Sequence, residues 1–228
     1  MSGRTIAIGD IHGCAMALDT LLRAIQPRPE DTIVALGDYV DRGPQSADVI
    51  EIFTNVISMC RLIPLIGNHE VMMMQAMESQ SSFAMWQQCG GDATVRSYGN
   101  QLSNIPQHHL LFLNHCVKYF ETDTHFFIHA NYDPYTPLAD QPEQVALWQH
   151  ISEFAPEPHQ NGKIAVVGHT PQMDGSIRDL GHIKIIDTFC YGNLWLTALD
   201  VDSGDFWQAS NQGQLHQGTL DPHGPGEA

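Results

Sequence analysis

A short apolar run ends at two metal-binding side chains in the stretch Thr5-Ile6-Ala7-Ile8-Gly9-Asp10-Ile11-His12. Four further runs of similar length end in the same way; their polar residues are Asp38, Asn68 with His69, His129, and His169. Runs of this length and composition are typical of buried β-strands. Glycine stands directly before the polar residue in four of the five cases, which lets the backbone turn sharply out of the strand.

The position of these polar residues predicts where they meet. Side chains just past the carboxyl ends of parallel strands lie along one edge of an open α/β sheet, where such folds place their sites. Carboxylate oxygens and imidazole nitrogens together suit manganese, iron or zinc better than calcium. The sequence therefore predicts a hydrolytic centre for two metals. Its six candidate ligands are Asp10, His12, Asp38, Asn68, His129 and His169.

Length and charge limit the classes of protein that fit. The 228 residues are enough for one domain with a substantial core. The formal net charge of -16 repels a phosphate backbone, so we expect no binding to nucleic acid through bulk electrostatics. No apolar run approaches the length of a membrane span, so we also expect no membrane partner.

The cysteines and the first residues bear on the compartment. Cys14, Cys60, Cys89, Cys116 and Cys190 are scattered and form no CxxC pair, which argues against a disulfide framework or a zinc ribbon. The first strand begins almost at once, without the features of a signal peptide. We therefore expect a reducing, cytoplasmic location.

Hydrophobic spacing predicts alternating strands and helices in the first third of the chain, and therefore parallel strand pairing. Helices are expected over 16–25, 47–59, 71–78, 93–99 and 107–113. Later strands are expected over 117–121, 125–129, 164–168, 174–179, 183–187, 194–201 and 205–209, the last four as antiparallel hairpins. The polar composition after residue 210 predicts a domain over 1–210 and a disordered tail over 211–228. The sum is an α/β fold with two packed sheets flanked by helices.

Five motifs carry a resemblance to a known family. They are Gly9-Asp10-Ile11-His12-Gly13, Gly37-Asp38-Tyr39-Val40-Asp41-Arg42-Gly43, Gly67-Asn68-His69-Glu70, His129-Ala130 and Gly168-His169-Thr170. In order and spacing they resemble the phosphoprotein phosphatase family of calcineurin-like metallophosphoesterases, over residues 4–209. The stretch 90–99 is similar to the bacterial branch, which includes phage-type protein phosphatases and symmetrical dinucleoside tetraphosphatases. The resemblance implies a four-layer sandwich of two mixed β-sheets flanked by helices.

The resemblance also implies how the ligands divide between two metals. Asp38 bridges both ions, because one carboxylate can bind two cations at once. The remaining ligands are Asp10 with His12 on one ion, and Asn68 with His129 and His169 on the other. A hydroxide that bridges the two ions is then the nucleophile.

Three more residues complete the catalytic groups that the resemblance implies. His69 directly follows the ligand Asn68 and is implied to be the general acid, with Asp41 orienting it. Arg42 is expected to bind the phosphate, because its planar fork matches two phosphoryl oxygens. Asn68 is expected to share in phosphate binding. Glu70 either orients these residues or is a charge in the first turn of a helix.

The chain departs from its relatives between the last two histidine ligands. Many bacterial members carry Leu-Trp-x-Arg there, whereas this chain has Leu147-Trp148-Gln149-His150 and no arginine between His129 and His169. His150 either takes over phosphate binding or is a surface histidine of a helix. Lys163 is a further basic residue in this interval and is the other candidate.

One scaffold serves several substrates in this family. We expect a two-metal phosphomonoester hydrolase, a serine/threonine-type or broad-specificity protein phosphatase that uses manganese on a phosphorylated protein or small phosphoester. Acidic Asp133, Asp140 and Glu143 disfavour a polyphosphate, so a dinucleoside polyphosphate hydrolase is the alternative. A phosphate-binding module without turnover is the alternative of another class, prompted by the missing arginine. Trp86 and Met85 either stack on the substrate or pack in the core.

Overall fold

The computed structural model describes residues 3–151 and 155–220. The strands in chain order are β1 (Thr5–Ile8), β2 (Thr32–Ala35), β3 (Arg61–Pro64), β4 (Tyr119–Glu121), β5 (His125–Ile128), β6 (Ile164–Val167), β7 (Arg178–Asp179), β8 (Ile183–Ile185), β9 (Leu196–Asp200), β10 (Asp205–Ala209) and β11 (Leu215–Thr219). They form two mixed sheets, with the strand orders β11-β10-β9-β1-β2-β3 and β4-β5-β6-β8-β7.

Parallel strands occupy the centre of each sheet. In the first sheet β1 pairs with β2 and β2 with β3, so that Ile6 lies opposite Ile33 and Ile33 opposite Leu62. In the second sheet β5, β6 and β8 run parallel to one another. Antiparallel strands β9, β10 and β11 extend the first sheet, and β4 and β7 form the edges of the second.

The helices connect and cover the strands. They are α1 (Ala15–Ile25), α2 (Ser46–Val56), α3 (Asn68–Glu78), α4 (Gln80–Trp86), α5 (Asp92–Ser97) and α6 (Gln107–Asn114). A single π-helical turn spans Gln144–Trp148, and a kinked segment with a non-helical Gly90 joins α4 to α5. Helix α1 shows why they form: Leu18, Leu21 and Ile25 recur at helical spacing and are buried. It ends where Gln26 adopts a left-handed backbone conformation.

Alternation along the strands builds the layers of the core. Ile6 and Ile8 face the helices, whereas Ala7 between them packs in a cluster with Val34 of the same sheet and Phe127 of the other. The second sheet buries its other face against loops and the π-helical turn Gln144–Trp148. The predicted sandwich of two mixed sheets flanked by helical segments is confirmed.

Several boundaries differ from the sequence-based expectation. Helix α3 begins at Asn68 rather than at residue 71, because the Asn-His-Glu segment forms its first turn. Antiparallel pairing is confirmed for β7 with β8 and for β9 with β10, but the two pairs belong to different sheets. No helix among the described residues has the length and apolar character needed to cross a bilayer.

The structure differs most from expectation in the segment predicted to be a tail. Leu215–Thr219 forms the edge strand β11 and pairs antiparallel with β10, from Leu215 opposite Ala209 to Thr219 opposite Asp205. Most of its side chains are exposed, so backbone hydrogen bonding rather than apolar burial holds it. A composition-based prediction misses such a strand because it depends on buried apolar side chains. Residues 221–228 of the predicted tail lie outside the described residues.

Candidate metal centre

The six predicted ligands meet at the carboxyl ends of five strands. Asp10 and His12 follow β1, Asp38 follows β2 and Asn68 follows β3, while His129 and His169 follow β5 and β6 of the other sheet. Each of the six side chains belongs to a residue that is at most 8% exposed. Ligand atoms lie within 4.8 Å of one another in two groups that share Asp38, namely His12 with Asp38 and His69, and Asp38 with His129 and His169.

The carboxylate of Asp38 faces both groups with different oxygens. Its Oδ2 lies 3.3 Å from His12 Nε2, and its Oδ1 lies 3.5 Å from His129 Nε2. His129 Nε2 is also 3.0 Å from the amide oxygen of Asn68. One carboxylate between two sets of nitrogen and oxygen donors is the arrangement that a pair of bridged cations needs.

Backbone carbonyls orient the three imidazoles. His12 Nδ1 lies 2.9 Å from the carbonyl oxygen of Val40, and His129 Nδ1 lies 2.8 Å from that of Leu36. His169 is hydrogen-bonded to the backbone of Trp148. Metal-binding histidines typically donate one ring N–H to such an acceptor, which leaves the other nitrogen as the ligand atom.

Two buried atoms in this region have no hydrogen-bond partner among the described residues. They are His169 Nε2 and Asp187 Oδ2. Buried polar atoms are rarely left unpaired in a native protein. The inward-facing Nε2 of His169 is therefore suited to a cation.

The buried carboxylates of the centre also indicate a cation site. Burial raises the pKa of Asp10 well above its usual range, and the neighbouring carboxylates of Asp187 and Asp38 raise it further. Burial also raises the pKa of Asp187 to about 7. Asp38 differs, because the surrounding imidazoles outweigh burial and lower its pKa. Cations bound among the three carboxylates would favour the ionised form of Asp10 and Asp187. The residues present fit a pair of divalent metal ions.

The imidazoles are held in the form that binds metals. Burial lowers the pKa of His12 well below its usual value and lowers that of His129. Burial, followed by the neighbouring His129, lowers the pKa of His169 to about 3. Neutral imidazoles at ordinary pH have a free lone pair for a metal.

The backbone at the centre is strained. His12, Asp38, Asp41, Arg42 and His169 all have positive φ angles, between 46° and 73°. L-residues rarely adopt this region, and such strain, at about 1–3 kcal/mol for each residue, is concentrated at functional sites. The fold therefore holds these side chains in positions that the local chain does not prefer.

Two glycines make the close approach of the strands possible. Gly37 has a φ of 101°, a backbone conformation that favours glycine, and this turn places Asp38 in the site. A Cβ at Gly168 would lie 2.0 Å from Asp10 Oδ1. That carboxylate instead accepts the backbone N–H of His169 at 3.0 and 3.1 Å, which links the ends of β1 and β6.

Glu70 braces the loop that carries the bridging aspartate. Its buried carboxylate accepts hydrogen bonds from the backbone N–H groups of Asp38, Tyr39, Val40 and Gly67, at 2.8 to 3.3 Å. The structure thus favours the orienting role that was one of the two sequence-based interpretations of Glu70. Its side chain fixes Asp38 through the backbone rather than through a ligand bond.

His69 is buried next to Asp41. Its Nδ1 lies 2.7 Å from Asp41 Oδ2, and its Nε2 lies 3.9 Å from Asp38 Oδ2. The remaining positions around the Asp41 carboxylate are filled by Trp86 Nε1 on Oδ2 and Thr94 Oγ1 on Oδ1, both at 2.7 Å. The carboxylate therefore has one fixed orientation with respect to the imidazole.

The guanidinium of Arg42 lies at the entrance to the centre. The residue is exposed, its Nη1 is 2.9 Å from His12 Nε2, and its Cζ lies 4.4 Å from the centre of the Tyr191 ring. Nη1 thus lies against the imidazole lone pair where a cation would bind. The aromatic face of Tyr191 supports the planar group through a cation–π contact.

His150 lies on the centre rather than away from it. Its ring stacks on the ring of His169 with the centroids 4.3 Å apart and an angle of 20° between the planes. It also lines a cavity of about 230 Å³ together with Asn131, Asp133 and Gln149. The residue is also exposed, so its position is compatible with both sequence-based interpretations, a phosphate contact and a surface histidine.

Lys163 is not positioned to replace an arginine. It precedes β6, whereas the ligands follow the opposite ends of the strands. Its Nζ binds Glu121 Oε2 at 2.7 Å and the carbonyl oxygen of Thr122 at 2.6 Å. This lysine is therefore an unsuitable phosphate ligand.

Sequence reasoning missed or misjudged four residues at the centre. Asp187 follows β8 as the six ligands follow their strands, so the apolar run before it was a usable signal. Tyr191, Trp86 and Thr94 had no such signal, because their roles depend on contacts between distant segments. Trp86 is 1% exposed and donates a hydrogen bond to Asp41, so it packs in the core and cannot stack on a substrate. Met85 is 67% exposed and does not pack in the core.

Comparison with known sequences gives two groups of relatives. The chain is 36% identical over 91 residues to serine/threonine-protein phosphatase 2 of Escherichia coli, a segment covering 37% of each chain. It is 38% identical over 68 residues to a symmetrical bis(5'-nucleosyl)-tetraphosphatase of Pectobacterium carotovorum, covering 29% of this chain and 24% of the relative. The chain thus aligns with less than half the length of these curated relatives.

Comparison with solved structures and with family models covers more of the chain. The crystal structure of a cold-active protein-tyrosine phosphatase of a Shewanella species superposes with a TM-score of 0.67 at 15% identity, over 95% of this chain and 80% of that one. At this identity the likeness shows the fold alone. The family model described as calcineurin-like phosphoesterase matches residues 3–202. This chain therefore belongs to the calcineurin-like phosphoesterase family.

Proposed function

We propose that this protein is a two-metal phosphomonoester hydrolase that acts as a serine/threonine-type or broad-specificity protein phosphatase. The observation that carries the proposal is the buried pair of His69 and Asp41, 2.7 Å apart, directly beside Asp38 and the exposed Arg42. A module that only bound phosphate would need neither an oriented imidazole nor its fixed carboxylate. Turnover explains both.

The metal ions would be held by the six ligands, with Asp38 shared between them, and would supply Lewis acidity and an activated water. Manganese suits this mixed oxygen and nitrogen set, with iron and zinc as alternatives. All five cysteines are free thiols, which supports a reducing, cytoplasmic location.

Each remaining polar residue has one task. Arg42 binds two phosphoryl oxygens through its planar fork, and the ring of Tyr191 keeps that fork in place. Asp41 accepts a hydrogen bond from the Nδ1–H of His69. The second proton of the imidazolium is therefore on Nε2, and it is donated to the leaving oxygen. His150 donates a hydrogen bond to the phosphoryl group from its position beside His169, and Asn68 contributes its amide.

The surroundings of the site support a single phosphoester group of low charge rather than a polyphosphate chain. The cavity of about 230 Å³ beside His150 is smaller than the roughly 300–1,000 Å³ of typical ligand pockets. Asp133 contributes a carboxylate to its wall, and hydrogen bonding to Tyr135 lowers the pKa of that carboxyl group. A polyphosphate chain would be repelled there, whereas a phosphorylated side chain of a peptide carries less charge.

The names of relatives also support a second candidate, hydrolysis of dinucleoside polyphosphates. The deciding experiment compares phosphoserine, phosphothreonine and phosphotyrosine peptides, diadenosine tetraphosphate and p-nitrophenyl phosphate as substrates of the manganese-loaded protein. We expect kcat/KM to be highest for a phosphopeptide. A preference for diadenosine tetraphosphate would overturn the protein phosphatase proposal and leave phosphoester hydrolysis intact.

A further inference from the structure

A second cluster of metal-binding side chains lies on the helices, outside the centre described above. Glu51 of α2 points its Oε2 at His108 Nε2 and at His109 Nε2 of α6, with both distances 2.9 Å. All three ligand atoms lie within 4.8 Å of one another. Neither histidine is adjacent to the strand ends that form the active centre.

The two imidazoles are arranged around one point. Their ring centroids are 4.4 Å apart and the rings are nearly perpendicular, at 79°. Zinc binds imidazole nitrogen and carboxylate oxygen at about 2.0–2.2 Å, so tetrahedral ligand atoms lie roughly 3.3 Å apart. The observed 2.9 Å separations therefore need only a few tenths of an ångström of adjustment to admit an ion.

One member of the cluster is held rigidly. The side chain of His109 is 4% exposed, and its Nδ1 lies 2.8 Å from the hydroxyl of Tyr98, which follows α5. A partner on the far ring nitrogen sets the tautomer and the direction of a metal-binding imidazole. The other two members, Glu51 and His108, are about half exposed, so an ion can enter and keep a water ligand.

We propose that Glu51, His108 and His109 form a third metal site, which binds a zinc-class divalent ion and clamps α2 to α6. Two imidazoles and one carboxylate with an open position are a donor set that zinc accepts. Through Tyr98 the clamp reaches α5, whose Thr94 holds the carboxylate of Asp41. The site therefore stabilises the helices that hold the carboxylate of Asp41 in place.

Zinc content decides the proposal. Wild-type protein and the His108→Gln and Glu51→Gln variants are dialysed against one buffered free zinc concentration and analysed by mass spectrometry of the metal. His115→Gln is the matched control, because His115 is exposed, follows the same helix and bonds the carbonyl oxygen of Leu111 instead. We expect wild type and control to hold one zinc equivalent more than either cluster variant.

Thermal unfolding gives the second measurement. Zinc titrated into the manganese-loaded protein should raise the unfolding midpoint of wild type and control, and by clearly less in the two cluster variants. Tyr98→Phe should weaken this zinc effect by roughly 10–100-fold in apparent affinity, the range found for partners that orient a ligand. Equal zinc content and equal midpoint shifts in wild type and both cluster variants would overturn the proposal and leave Glu51 hydrogen-bonded to the two histidines. Neither measurement depends on phosphatase activity.

Discussion

His69 and Asp41 form a buried pair in which the imidazole Nδ1 donates to the carboxylate Oδ2 across 2.7 Å. Burial by itself would lower the pKa of His69, but Asp38 and the hydrogen-bonded Asp41 outweigh burial and raise it. Trp86 and Thr94 leave the carboxylate no freedom to turn away. The hydrogen bond to Asp41 therefore favours the protonated form of the imidazole.

The first prediction concerns this acid. His69→Ala should lower turnover of alkyl phosphates and phosphoserine peptides by about 10²–10⁴-fold, the usual value of general acid catalysis. An aryl phosphate with a good leaving group needs less protonation and should lose less. The measurement is kcat for both substrate classes together with the metal content of the variant.

The pH dependence supplies the control for this assignment. Activity on poor leaving groups should fall as the pH rises through the pKa of His69, because only the imidazolium donates. Asp41→Asn removes a carboxylate that raises the pKa of His69, so the loss of activity should begin at lower pH. Equal losses on good and poor leaving groups, or an unchanged pH profile in Asp41→Asn, would contradict the role.

The second prediction concerns the shared ligand. The protein should bind two divalent ions about 3.5 Å apart, in keeping with other two-metal sites. Asp38→Asn removes the charge that faces both groups and should reduce the bound manganese from two equivalents to one or none. Asp48→Asn, an exposed position at the start of α2, is the control. Metal analysis of both variants checks this, and an unchanged manganese content in Asp38→Asn would refute the bridge.

The third prediction concerns phosphate binding. Arg42→Ala should reduce kcat/KM by roughly 10–100-fold, which corresponds to about 1.5–3 kcal/mol for hydrogen bonds to a charged group. Arg42→Lys should recover only part of the loss, because lysine lacks the planar fork. Arg23→Ala on the exposed face of α1 is the matched control. A near-wild-type kcat/KM for Arg42→Ala would place the phosphate contact elsewhere.

The fourth prediction concerns the histidine at the arginine position of the relatives. His150→Arg should preserve or raise kcat/KM and flatten the pH profile above neutrality, because the guanidinium stays charged. His150→Ala should lower kcat/KM by about 1.5–3 kcal/mol in transition-state binding if its imidazolium bonds the phosphate. His115→Ala serves as the control. Two variants that match wild type across the pH range would show that His150 only packs on His169.

The fifth prediction concerns stability. Asp31 is fully buried and accepts hydrogen bonds from the backbone and side chains of Arg4 and Arg28. These bonds outweigh the opposing effect of burial and lower the pKa of Asp31. Asp31→Asn should reduce the free energy of unfolding by about 1–3 kcal/mol at neutral pH.

The acid dependence of Asp31 follows from the direction of its shift. A lowered folded-state pKa stabilises the protein above the ordinary carboxyl pKa of about 3.9, and the gain is lost as the pH falls through the lower folded value. Denaturant unfolding of wild type and Asp31→Asn should therefore converge in acid. Asp19→Asn, which breaks only the exposed pair with Arg23, should show little effect at any pH. A constant difference across the whole range would contradict the assigned shift.

The strand ends and their ligands were predictable from the chain because their signals are local. An apolar run followed by glycine and Asp10, or by glycine and Asp38, specifies a strand and a turn within a few residues, and parallel pairing brings such turns to one edge. Asp187 follows the same rule after β8 and was open to the same reasoning. The edge strand Leu215–Thr219 was not, because its side chains are largely exposed and composition carries little trace of backbone pairing.

The groups around those ligands were decided by tertiary packing. Trp86 and Thr94 reach Asp41 from 45 and 53 residues away, and nothing near either residue in the chain indicates this contact. The stacking of His150 on His169 and the meeting of Glu51 with the histidines of α6 are of the same kind. Periodicity reports which face of an element is buried, whereas the partner across that face depends on how whole helices and loops pack together.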